Sequence, residues 1–226
     1  MRIIDSYPKV FNQVVPQTCI SGNPCQWDIN EFNSSAKMKQ LRIFFSKCDY
    51  LCFDEKVVKG MGSMFSGRTS NLEDDDCDGI GIFQNGDWVR MYFVDLKSGF
   101  DIDKIQHGFV QSLNSFFKMH AMMSLCEGYH ISGTKLEFIV ACKCFQDNEK
   151  ETKTCDWMLR KRTADPESFA AKVAYPLYRN GSMNIKIKDF PEVAILPFSN
   201  EIRDCVVKLT LVRTANYLDE YAIYNI

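Results

Sequence analysis

Two carboxylates and an ammonium stand within one short stretch of the 226-residue chain: Asp78, Asp95 and Lys97. Two strand-like runs, Gly79–Gln84 and Trp88–Leu96, flank an Asn85-Gly86-Asp87 turn, a strong local signal for a β-hairpin. A tight turn centred on Gly86-Asp87 pairs the strands so that Asp78 falls opposite Asp95. Side chains alternate along a strand, so Asp95 and Lys97 share a face, and Asp78 joins them across the ladder. The neighbouring segments GIGIF and MYFV are apolar, which makes this concentration of charge costly. A divalent cation between the carboxylates would offset that cost.

The elements that must hold these groups read as an α/β chain. Cys48–Phe53 alternates as a strand, and Asp101 is a candidate N-cap for a helix running to about Cys126. Ile102, Ile105, Phe109, Leu113, Phe116 and His120 form the apolar stripe of that helix. Lys135–Phe145 (KLEFIVACKCF) is a further strand, and an intervening helix predicts a parallel crossover to it from the hairpin. Asp28–Phe45 is expected to be helical, with a cap at Asn33-Ser34-Ser35. Residues 1–27 are expected to be irregular, with a turn at Ser21-Gly22-Asn23-Pro24. Asp147–Lys153 reads as a polar loop, Pro166–Ala174 as a short helix, and Asn180-Gly181 as a turn between Tyr175–Tyr178 and Ser182–Ile187. A final helix is expected from Asn200. The acidic run Glu73–Asp76 reads as a solvated loop.

Composition narrows the class. Hydrophobic residues at 46% and charged residues at 25% are those of a globular protein, and the formal net charge of −2 gives no global field for polyanions. No apolar run approaches the roughly 18 residues of a membrane span, and no leader is read at Met1-Arg2-Ile3, so a cytoplasmic protein without a membrane partner is expected. The ten cysteines include no C-x2-C pair and are expected to be reduced structural thiols. His107, His120 and His130 converge on no carboxylate in sequence, and His120 reads as a core histidine.

Asp78, a β-turn, then Val94-Asp95-Leu96-Lys97 and a Gln-bearing helix resemble the PD-(D/E)xK nuclease superfamily, which includes restriction endonucleases, Holliday-junction resolvases and RecB-like nucleases. The resemblance covers about Cys48 to Phe145. It implies an α/β, restriction-endonuclease-like mixed β-sheet core flanked by helices, at about residues 28–146 of a single domain spanning 1–226. Residues 1–27 would be an N-terminal wrap and 147–226 a C-terminal elaboration. It further implies a Mg²⁺-dependent nuclease, with Mn²⁺ able to substitute, acting on DNA, with RNA left open. Asp78 and Asp95 would be the metal-binding carboxylates, Leu96 would offer its carbonyl, and Lys97 would orient or deprotonate the attacking water.

On the following helix, Gln106 lies about 40° from the apolar stripe and is favoured on geometry; the distance of Gln111 from Lys97 suits the family pattern better. Glu31 and Glu55 are the candidates for an upstream Glu. Asp49, in Lys47-Cys48-Asp49-Tyr50-Leu51, is the alternative first carboxylate, although register favours Asp78. Arg160, Lys161 and Arg162, with Lys153 and Trp157, are candidates for gripping a phosphate backbone. Arg68, Lys56 and Lys59 would complete a groove from the other side. Members of this kind often serve bacterial restriction or anti-phage systems, with a protein partner or homo-oligomer regulating activity. The competing expectation is a catalytically inactive nuclease-like module for binding or assembly.

Overall fold

The Asn85-Gly86-Asp87 turn registers the hairpin in the computed structural model, which describes residues 2–11, 17–18, 25–45, 48–54, 76–193 and 198–226. Strands β5 (Gly79–Asn85) and β6 (Trp88–Lys97) pair antiparallel from Asn85 opposite Trp88 to Gly79 opposite Val94. Gly86 takes φ +60°, the left-handed conformation the turn needs and glycine adopts without steric penalty. The paired ladder ends at Gly79 opposite Val94. Asp78, just before it, donates its N–H to the same Val94 carbonyl at 2.8 Å, one residue off that register, so it reaches the Asp95 end of the hairpin without the direct pairing with Asp95 that the turn predicts.

In chain order the helices are α1 (Ile3–Val10), α2 (Ile102–Met123), α3 (Asn148–Ala164), α4 (Tyr175–Asn180) and α5 (Asn200–Arg203). The other strands are β1 (Gln17–Thr18), β2 (Cys25–Asn30), β3 (Gln40–Phe45), β4 (Asp49–Asp54), β7 (Thr134–Cys142), β8 (Ser182–Lys186), β9 (Val206–Arg213) and β10 (Tyr221–Asn225). A seven-stranded mixed sheet runs β1-β4-β5-β6-β7-β9-β8, and a three-stranded sheet runs β10-β3-β2. β5 pairs antiparallel with both β4 and β6, whereas β6 pairs parallel with β7, as the crossover through α2 requires, and β7 parallel with β9.

Both faces of the large sheet are covered. On one, Met91 and Phe93 of β6 pack with Ile105, Phe109 and Leu113 of α2 and with Ile3, Ile4 and Tyr7 of α1. On the other, Tyr92, Val94 and Leu96 meet Trp27, Ile29, Leu41 and Ile43 of the small sheet. Alternation therefore sends Asp95 and Lys97 toward α2, inside a layer that water barely reaches. Asp101 caps α2, accepting from the amides of Asp103 and Lys104 at 3.1 and 3.2 Å.

Several expectations are corrected. Asp28–Phe45 is not a helix but parts of β2 and β3 joined by a polar turn. The Asn33 carboxamide accepts from the Ser35 amide at 3.0 Å, and Leu41, Ile43 and Phe45 are buried at period two. Residues 1–27 include α1, whose Pro8 masks a helix signal that buried Ile3, Ile4 and Tyr7 otherwise carry. Asp147 opens α3 rather than a loop; with Met158 its one buried residue, that helix shows no apolar period. Tyr175–Tyr178 belongs to α4, and the helix from Asn200 is a single turn before β9 and β10. Asp76 is not solvated but buried. Cys25 is disulfide-bonded, while eight cysteines, Cys48 to Cys205, are free thiols. The Ser21–Pro24 turn lies outside the described residues. Among the described residues, no helix is long and apolar enough to cross a membrane.

Asp76 and Lys118 form the most deeply buried ion pair described, 2.7 Å apart with both side chains 1% exposed. Lys118→Met leaves that carboxylate without its cation and is expected to cost about 3–5 kcal/mol, read by urea denaturation. Adding Asp76→Asn should recover part of the loss; a Lys118→Met protein as stable as wild type would refute the role of the pair.

Candidate metal centre

Each charged group at the end of the hairpin is held by a neighbour on α2 or β6. The Leu96 amide donates to Asp78 Oδ2 at 2.6 Å, which ties the first carboxylate to the strand bearing the second. Lys97 Nζ lies 2.7 Å from Asp95 Oδ2 and donates to Gln111 Oε1 at 2.6 Å. Gln111 Nε2 in turn donates to the Asp76 carbonyl at 3.1 Å. Ser115 receives the Cys77 amide at 3.0 Å and donates to Asp76 Oδ1 at 3.2 Å, beside the Lys118 ammonium. Gly108, Gln111, Ser115 and Lys118 recur at helical spacing, so one polar stripe of α2 anchors residues 76–78 and Lys97 together.

Gly108 is required by the closeness of this packing. A Cβ there would lie 2.7 Å from Asp95 Oδ2, 2.9 Å from Val140 Cγ2 and 3.2 Å from Lys97 Cε. The first two contacts involve atoms confined within the packed layer, so alanine forces the carboxylate or the helix to shift.

The electrostatics follow from burial. The Asp78 carboxyl is pushed well above the usual carboxylate range by desolvation and then by the charge of Asp95, with Glu31 adding to the rise. The Leu96 amide and Lys97 pull it partly back. Asp95, 2% exposed, is likewise raised by desolvation, while Lys97 and His107 oppose the rise and Glu31 reinforces it. Two buried carboxylates that resist ionising side by side are stabilised by added positive charge. Glu31 follows β2, where its Oε1 accepts the Asn33 amide at 2.7 Å. It is therefore a third acidic group acting on this end of the sheet, delivered by a strand and turn instead of the expected helix.

Gln111 meets Lys97, whereas the half-buried Gln106 side chain makes no hydrogen bond among the described residues, which reverses the preference for Gln106. That preference measured angle from the apolar stripe, but the polar stripe holding Gln111 is the one facing Asp76. Asp49 pairs with Gln84 near the turn end of the hairpin, and its carboxylate binds Arg2, so it stands away from Asp95. Arg160, Lys161 and Arg162 lie on α3, with Lys161 over the Trp157 ring and Arg162 over that of Tyr175. His120 is a half-buried histidine bonded through Nδ1 to the Tyr129 hydroxyl at 2.8 Å. Glu55, Lys56, Lys59 and Arg68 lie outside the described residues.

The Asp78 and Asp95 carboxylates are oxygen donors of the kind a hard divalent cation such as Mg²⁺ prefers. Among the described residues, no three His, Cys, Asp or Glu side chains cluster as metal ligands, so any ion here would be held by few protein groups. Comparison with protein-family models, curated proteins and solved structures finds no match.

Two outcomes are expected. A carboxyl raised in the folded state stabilises below its unfolded value and loses that contribution as pH rises through its folded value. In EDTA, Asp78→Asn should therefore gain in melting temperature relative to wild type as pH goes from about 5 to 8; a difference independent of pH would contradict the assignment. Gly108→Ala should lower stability by about 1–3 kcal/mol in chemical denaturation, and an unchanged midpoint would show that the helix does not press on Asp95.

Proposed function

We propose that this chain is a divalent-metal-dependent nuclease that hydrolyses phosphodiester bonds, DNA being the expected substrate. One observation carries the reading: Asp78, Asp95 and Lys97 meet at one end of the hairpin, with the Lys97 ammonium held between Asp95 and Gln111. The succession of three antiparallel strands, a helix and a parallel strand supports a restriction-endonuclease-like core around that end.

In this reading Asp78, Asp95 and the Leu96 carbonyl would hold Mg²⁺ or Mn²⁺. A bound ion supplies Lewis-acid polarisation of the phosphodiester and a more acidic water. The protein's own residues then have defined tasks. Lys97, fixed by two contacts of 2.7 and 2.6 Å, can donate to the attacking water or to a phosphoryl oxygen and stabilise charge that develops there. Gln111 is a positioning residue that fixes the lysine against the Asp76 carbonyl. Doubly covered β-sheet keeps the carboxylates from collapsing into separate solvated positions, so little reorganisation is required when substrate arrives.

Cleavage of supercoiled plasmid, linear duplex and single-stranded DNA with Mg²⁺ or Mn²⁺, and its loss in EDTA, tests the proposal. Asp95→Asn and Lys97→Met should each lower the rate at least about a hundredfold while the far-ultraviolet spectrum is kept. Wild type that leaves all three substrates intact with both metals would overturn the enzyme reading. Variants that cleave like wild type would overturn the site.

A further inference from the structure

Beyond Lys97, residues Ser98–Phe100 leave the sheet and form part of the wall of a cavity of about 590 Å³. The amide of Lys37, in the turn after β2, donates to Ser98 Oγ at 3.2 Å, so the small sheet closes one side. Phe145 and Gln146, just past β7, and the first half of α3 close the other. Four lysines line it, Lys37, Lys104, Lys150 and Lys153, together with the rings of Trp157 and Tyr217. The acidic residues Asp101 and Asp103 also line it, leaving an excess of two positive charges; Asp101 already accepts two amides of its own helix. Lys153 pairs with Glu149 at 2.5 Å, but both side chains are about three-quarters exposed, so the pair exchanges readily for another anion.

We infer that this cavity is a binding site for single-stranded nucleic acid, continuous with the chain segment that carries Lys97. Lysines around an open cavity attract a phosphodiester backbone, and exposed aromatic rings offer stacking to bases without regard to sequence. Trp157 is 45% exposed, so its ring lines the cavity with surface left open for a stacked base. A duplex turns its base faces inward and cannot use the rings, whereas one or two unpaired nucleotides fit a space of this volume. Arg160, Lys161 and Arg162 do not line the cavity, so the recognition surface is the N-terminal part of α3 and not its basic cluster. This inference rests on the proposed function for its biological sense, since the lining runs on directly from Lys97.

The test is fluorescence anisotropy of the full chain in EDTA, where binding is read without cleavage. The probes are a labelled 12-nucleotide single-stranded DNA, its RNA counterpart and the corresponding DNA duplex. The single strands should bind more tightly than the duplex. Trp157→Ala should weaken single-strand binding roughly 5- to 150-fold, the range of one lost base stack. Lys150→Gln with Lys153→Gln should reduce the steepness of the salt dependence by about 1.4 in log–log slope. Thermal melting establishes that the variants are folded; should Trp157→Ala fail to fold, Trp157→Leu replaces it, with the same loss of stacking expected. Equal binding of duplex and single strand, or a loss of affinity with Arg160→Gln and Arg162→Gln but not with Trp157→Ala, would overturn the inference. Binding that follows the cavity variants in a protein that never cleaves would sink the nuclease reading and leave the groove. Metal-dependent cleavage with affinity untouched by those variants would do the reverse.

Discussion

The buried ion pair between Lys118 and Asp76 is the constraint from which the arrangement at the hairpin end follows. Ion pairs withdrawn this far from water return little net stability compared with an apolar pair of the same shape, but they tolerate no loss of one partner. Their value here is positional. Asp76 lies two residues before Asp78, and its carbonyl receives Gln111 while its carboxylate receives Ser115 and Lys118. Three side chains of one helix therefore grip a single residue immediately upstream of β5. Sliding α2 by one turn would break all of these contacts at once, so helix and hairpin have one low-energy relation.

That relation also explains how unlike charges come to share an apolar layer. Asp95 and Lys97 are on the helix-facing side because Tyr92, Val94 and Leu96 are committed to the small sheet. The strand cannot rotate without exposing aromatic and aliphatic surface on the other face. Hydrophobic burial on one side of β6 thus forces ionisable groups into the other. Gly108 removes the side chain that would otherwise occupy the space taken by the Asp95 carboxylate. The energetic cost appears as carboxyls reluctant to ionise, the condition under which a bound cation has most to contribute.

The hairpin was legible because turn chemistry and period-two alternation point the same way, and both act over a few residues. That Asp78 comes to the Asp95 end of the hairpin needed nothing more remote, although it stands just outside the paired ladder. Glu31 was a candidate without a place, since its approach depends on β2 and β3 crossing the sheet, and no local pattern encodes that crossing. The segment 28–45 reads as a helix if its polar residues are taken as a cap; Asn33 and Ser35 instead close an Asx turn, and the two short strands gain their stability from tertiary packing. Gln111, already a candidate, could have been ranked ahead of Gln106 from the recurrence Gly108, Gln111, Ser115, Lys118, which stands beside the apolar stripe and is as regular. The helix at 148–164 left no apolar period to read, because it buries Met158 alone.

The small sheet is closed from far along the chain. β10 runs parallel to β3, and the Glu220 carbonyl accepts the amides of both Lys39 and Gln40, while the Lys39 carbonyl receives the amide of Glu31. The segment presenting Glu31 is therefore braced by residues that a ribosome adds after every other described strand. During synthesis the hairpin and α2 can associate early, since they are contiguous, but the face bearing Tyr92, Val94 and Leu96 waits for its cover. Translation order thus separates two events: the charged cluster can assemble on a nascent chain, whereas the wall that completes its surroundings is finished only when the last described strand is released.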